Sequence, residues 1–118
     1  MNAGLREWYE ATGPNEMFLS VVTVGEIRRG IEQKRINDSL QADVLEAWME
    51  RMMHGFAQHI RPITKQIAER WGRITPHQPL PAADGLIAAT ALVENMTLVT
   101  RNVADLERSG VRILNPWK

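Results

Sequence analysis

The sequence predicts an α/β fold with a parallel sheet, and three observations carry that expectation. Short apolar, β-branched stretches, MFLSVV (Met17 to Val22), TLVT (Thr97 to Thr100) and VRILN (Val111 to Asn115), alternate with helical patterns. The first stretch shows no polar alternation, which marks a strand buried on both faces. The length of 118 residues suits one hydrophobic core and is too short for two, so residues 1–118 are read as a single domain.

Each element has its own signature. Residues 1–12, with Leu5, Trp8 and Tyr9, read as a short helix stopped by Gly13-Pro14. After the MFLSVV strand, a helix is expected from about Val24 to Gln33. Residues 39–56 form a second helical pattern, with Leu40, Val44, Leu45, Trp48, Met49, Met52 and Phe56 at spacings of three and four. RPIT interrupts it. A shorter helix then places Ile63, Ile67, Trp71 and Ile74 on one side, and TPHQPLP, with three prolines, is a loop. The helix that contains Asp84 ends near Asn95, ahead of the last two strands.

Composition excludes several classes. With 44% apolar and 24% charged residues the chain is an ordinary globular protein rather than a disordered one. Fourteen basic and fourteen acidic side chains cancel, so any nucleic-acid contact needs a local basic patch. Cysteine is absent, which removes disulfides and thiolate zinc sites and suits a reducing cytoplasm. No segment approaches the length of a membrane span and no secretory signal pattern opens the chain, so a soluble, cytoplasmic protein is expected.

The candidate site residues are oxygen donors, and each has a structural reading beside the functional one. In PLPAADGLIAATALVEN, Asp84 stands at the mouth of an apolar segment, as a first-turn acid complementing the helix dipole or as a metal ligand. Glu26 closes Thr23-x-x-Glu26, a capping-box pattern. Asn102 and Asp105 follow the TLVT strand, where turns use such residues. All four fall at strand-to-helix turns or helix starts, the edge at which open α/β sheets bind ligands. Carboxylate and amide oxygens suit hard cations such as Mg²⁺ or Mn²⁺. Arg29 and Arg101, with Arg28 and Lys65, are candidates for substrate phosphates or for a solvated face. An Arg29–Glu26 pair, three residues apart on a helix, would keep that carboxylate ionised. His54, His59 and His77 share no ligand spacing and read as surface or structural. Neither a nucleophile elbow nor a phosphate-cradling glycine loop is present. The Trp48, Met49, Met52, Met53 and Phe56 cluster reads as core on one side, with a surplus that would suit a partner helix.

FLSVVTVGEIRRGI, PAADGLIAATAL and LVTRNVADLERSGVRILNPW, taken together, resemble three blocks of PIN-domain ribonucleases, specifically the VapC/FitB-like toxins of toxin–antitoxin pairs. The likeness runs from about Met17 to Trp117. It implies a PIN-like three-layer fold, with a short parallel sheet flanked by helices. It also implies Mg²⁺- or Mn²⁺-dependent hydrolysis of RNA, a cognate antitoxin and a homodimer. By the same resemblance Glu26, Asp84 and Asp105 would be catalytic and metal-binding, with Asn102 as an added ligand. The family opens with a strand ending in an Asp-x-Asn motif, whereas this chain opens with MNAGLREWYE, which resembles the helix after that strand. On this likeness the first strand and its aspartate are missing, and codons for an apolar strand ending in Asp are expected upstream of Met1. A catalytically inactive PIN-like binding module, or a decayed toxin, is the competing reading. An unrelated α/β protein with coincidental caps is a third.

Overall fold

The computed structural model describes residues 3–12 and 17–116. Its elements are α1 (Ala3–Thr12), β1 (Leu19–Ser20), α2 (Val21–Asn37), α3 (Ser39–Gly55), β2 (Ile60–Arg61), α4 (Lys65–Arg73), α5 (Ala82–Val93), β3 (Leu98–Val99), α6 (Val103–Leu106) and β4 (Ile113–Leu114), with one 3-10 turn, Glu107–Ser109, between α6 and β4. The expected N-terminal helix is α1; the side chains of Leu5 and Tyr9, the Gly13-Pro14 stop and Trp117 lie outside the described residues. The strands are short and parallel, β1 with β2 and β3 with β4, as an α/β chain requires when helices connect neighbours. Among the described residues no helix is long and apolar enough to cross a membrane.

The chain divides into two compact units, Pro14–Pro62 and Met1–Gly13 with Ile63–Lys118. In the first, α2 and α3 form an antiparallel hairpin. Asp38 makes the turn: its backbone N–H donates to Lys34 O at 2.8 Å, ending α2, and its carboxylate accepts from the Gln41 N–H at 3.0 Å, capping α3. Ile31, Ala42 and Met49 are buried between the helices, with Val24, Ile27, Leu45 and Met53 packed against them. Each large aliphatic side chain so buried contributes about 1.5–3 kcal/mol. Across the hairpin, Arg28 pairs with Glu46 at 2.6 Å and Arg35 with Asp43 at 2.8 Å; within α2, Arg28 also pairs with Glu32 at 3.2 Å.

Two expectations for this unit need correction. The MFLSVV strand shrinks to Leu19–Ser20, and α2 begins at Val21 rather than near Val24. The true cap is Ser20, whose hydroxyl accepts the Val22 N–H at 3.1 Å. Thr23 and Glu26 therefore lie inside the helix and form no capping box. The Ser20 cap explains the earlier start, while Val24, Ile27 and Ile31 recur at helical spacing and meet α3 as expected of the helix. RPIT is no mere interruption either, because Ile60–Arg61 is a strand in register with Leu19–Ser20.

The second unit is built on α5. Ala88, Ala89, Thr90 and Ala91 are buried, and the Thr90 hydroxyl donates back to Leu86 O at 2.8 Å, which makes a polar residue tolerable there. Thr64 caps α4 by accepting the Ile67 N–H at 3.1 Å, and Ile67 is fully buried. The helix α5 ends in a Schellman motif. Asn95 is left-handed at φ 58°, and the Met96 N–H reaches back to Ala91 O at 2.8 Å. Arg112 then donates to Asn95 O at 2.8 Å, and β3 enters beside β4. Leu80, Ala88, Ala91, Leu106 and Val111 form the core that joins α5 to α6 and the strands.

Candidate active site

Asp84 is the third residue of α5 and half-buried. The helix begins with Pro81 at the cap position, where no side chain caps it. Among the described residues the Asp84 carboxylate makes no hydrogen bond and no ion pair. What the structural reading retains is the dipole, which favours an acid in the first turn by about 0.3–1 kcal/mol. A partly desolvated carboxylate without a donor is costly, and a cation or a substrate group would relieve that cost.

Asn102 and Asp105 sit just beyond β3. Asn102 occupies the cap position of α6, yet its side chain does not cap the helix. The turn is closed instead by Thr100, whose hydroxyl accepts the Asn102 N–H at 3.0 Å. The Asn102 side-chain amide therefore makes no hydrogen bond among the described residues. Asp105 lies three residues on, exposed in the only turn of α6, and it too makes no hydrogen bond or ion pair among the described residues. Asp84, Asn102 and Asp105 belong to one compact unit, in which α5 and α6 share a core.

Glu26 belongs to the other unit. It is exposed in the second turn of α2 and is not joined to Arg29, so the expected Arg29–Glu26 pair does not form. Arg29 is exposed and makes no ion pair among the described residues. Arg28 is instead held by Glu46 and then Glu32, whose carboxylates push its already high pKa further up. It braces the hairpin. Lys65 opens α4, and Arg101 is exposed at the end of β3. Among the described residues no three His, Asp or Glu side chains are grouped to hold a metal ion. His54 and His77 are exposed, while His59 is structural: its Nδ1 lies 2.8 Å from Met17 O and its ring stacks on Phe18 at 4.7 Å. The Trp48–Phe56 cluster splits. Met49 and Met53 are in the hairpin core, whereas Trp48 joins Leu40 and Val44 on an exposed apolar face of α3.

One residue beside Asp84 was not singled out by sequence. Trp71 of α4 is 41% exposed, and its indole lies against Gly85, the next residue after Asp84. Spacing put it on the apolar side of α4, and a glycine just inside a helix start was the only hint that a ring crosses there.

With this geometry in view, the PIN domain family matches residues 2–108. The chain belongs to the PIN-domain family. The likeness to an unrelated protein with coincidental caps is thereby excluded. This PIN domain is 29% identical to toxin FitB of Neisseria gonorrhoeae, over 93% of the chain and 82% of FitB. It is 30% identical to the VapC ribonuclease Y4jK of Sinorhizobium fredii, over 94% of the chain and 82% of that protein. The crystal structure of FitAcB from Neisseria gonorrhoeae superposes with a TM-score of 0.87 at 29% identity, covering 98% of this chain and 86% of that one. The PIN-like fold of helices and short parallel strands is thus shared along nearly the whole chain.

Proposed function

We propose that this PIN domain is the toxin of a toxin–antitoxin pair and acts as a divalent-metal-dependent endoribonuclease in the cytoplasm. The observation that carries this is Asp84, half-buried at the start of α5 and without a partner among the described residues. Family membership and relatives named as a toxin and as a VapC ribonuclease support the same reading. Asp84 and Asp105 would hold Mg²⁺ or Mn²⁺, with Asn102 as a neutral oxygen ligand; Glu26, which belongs to the other unit, stays a candidate carboxylate through the family resemblance. The donor set fits: every candidate is a hard oxygen, and among the described residues Asp84 and Asp105 have no competing cation. When bound, such an ion lowers the pKa of a water and neutralises charge on a phosphodiester. Arg29 and Arg101 would face substrate phosphates. The exposed Leu40, Val44 and Trp48 face supports assembly with protein, a cognate antitoxin and a second copy of the chain.

The test is cleavage of RNA with Mg²⁺, with Mn²⁺ and with chelator, by the parent and by Asp84→Asn. Asn keeps the shape and loses the charge. Cleavage should vanish in the variant while its melting temperature stays close to the parent's. A variant that melts early but cleaves equally per folded molecule would reduce Asp84 to a dipole partner. A protein-binding module that cuts nothing is the second reading, favoured by the lack of three grouped acidic side chains among the described residues. A parent inactive under every metal would establish it.

A further inference from the structure

We propose that Trp71 is a nucleobase-stacking residue of this site, with Arg70 and Arg73 as its phosphate contacts; the assignment rests on the nuclease reading above. The argument starts from what holds the indole. Ile67, four residues earlier on the same side of α4, is fully buried, whereas Trp71 is 41% exposed. Its pyrrole edge is seated over the first turn of α5: a β-carbon at Gly85 would lie 2.7 Å from Cδ1 and 2.8 Å from Nε1. The ring is thus anchored at one edge and open to solvent over much of its area, one residue along the helix from Asp84. Its Nε1–H makes no hydrogen bond among the described residues.

The surroundings decide which ligand suits it. Arg70 and Arg73, three residues apart in the last turn of α4, share one flank of the helix to one side of Trp71, exposed and in no ion pair among the described residues. An anchored aromatic face with two cations on one flank is a combination that holds single-stranded nucleic acid, by stacking a base and neutralising nearby phosphates. Trp and Arg recur in protein interfaces too, so what points to the nuclease substrate is the ring's seat on the first turn of the helix that carries Asp84. Stacking beside Asp84 would set which phosphodiester is presented to the carboxylate, and would favour bases with the larger π-face.

The experiment is titration with a short oligoadenylate in chelator, so that nothing is cut, followed by tryptophan fluorescence. The parent should bind with quenching. Trp71→Leu should lose most of the quench and bind about tenfold or more weakly, since one stacked base is worth that much. Trp71→Phe should restore affinity to within a few-fold, which a merely structural tryptophan would not predict if all variants melt alike. Should Leu fail to fold, Trp71→Met offers a longer, more adaptable side chain of similar volume without an aromatic face and gives the same reading. In cleavage, the non-aromatic variant should raise KM and spare kcat. Unchanged affinity in Trp71→Leu or Trp71→Met, or a parent that does not bind the oligomer, overturns the proposal. Trp71-dependent binding without cleavage at any metal would overturn the nuclease reading alone and leave the stacking assignment standing.

Discussion

At residue 85 two effects of a single methyl group oppose each other. Alanine in place of a helix glycine is worth about 1 kcal/mol of propensity. Against that, its β-carbon would meet the Trp71 indole at 2.7 Å, and overpacking of this kind costs about 1–3 kcal/mol. The ring is anchored in the α4–α5 contact, so it cannot swing away without losing packing, and the clash should win. We expect Gly85→Ala to be less stable than the parent by roughly 1 kcal/mol in urea denaturation, with an altered near-UV dichroism from the displaced indole. A variant as stable as the parent would mean that the indole yields freely. The same residue shows how far a sequence can be read. Gly85 looked like part of an apolar, small-residue helix, which it is; its meeting with Trp71, fourteen positions away, needs the helix pairing to be known.

The α2–α3 hairpin is the element whose charges are most committed. Hydrogen bonds from Arg35 and then Arg28 hold the Glu32 carboxyl below its ordinary range, while Asp43 and Glu32 push Arg35 up. A carboxylate with a lowered pKa stabilises the fold above its unfolded-state value and ceases to do so as pH falls through the folded one; the arginines stay charged throughout. We therefore expect Glu32→Gln to lower the melting temperature slightly near neutrality, and the gap to close below the usual carboxylate range. A gap independent of pH would show that Glu32 acts through packing. Glu32 and Arg28 are exposed and Arg35 is half-buried, so the effect should be small and screened by salt. Here the sequence was only partly legible. The helices were visible from spacings of three and four, but Val21 and Val22 read as strand because β-branched residues favour strands, and the Ser20 cap starts the helix ahead of them. The strand Ile60–Arg61 was invisible, since two residues carry no periodicity and only pairing with Leu19–Ser20 defines them. At the candidate site, Asp84 was recognised by its place at a helix mouth. That Asn102 leaves its own cap unused could not be read, because Thr100 at the strand end competes for the same turn.

Over the whole molecule the fourteen basic and fourteen acidic side chains leave no net charge. No long-range field then draws RNA in, and binding must come from the few cations that touch the strand. The salt dependence measures how many those are, because each phosphate neutralised on a single strand contributes about −0.7 to the slope of log K against log salt. If Arg70 and Arg73 make the phosphate contacts beside Trp71, the slope for oligoadenylate should be about −1.4, twice the single-contact value. Arg70→Gln should bring it to about −0.7 and leave the fluorescence quench intact, because the stacking is not ionic. The same titration at three or four salt concentrations gives both numbers. A parent slope several times steeper would show that cations well beyond α4 engage the strand, and that the aromatic platform is a small part of the binding surface. A slope that Arg70→Gln leaves unchanged would remove that side chain from the contact.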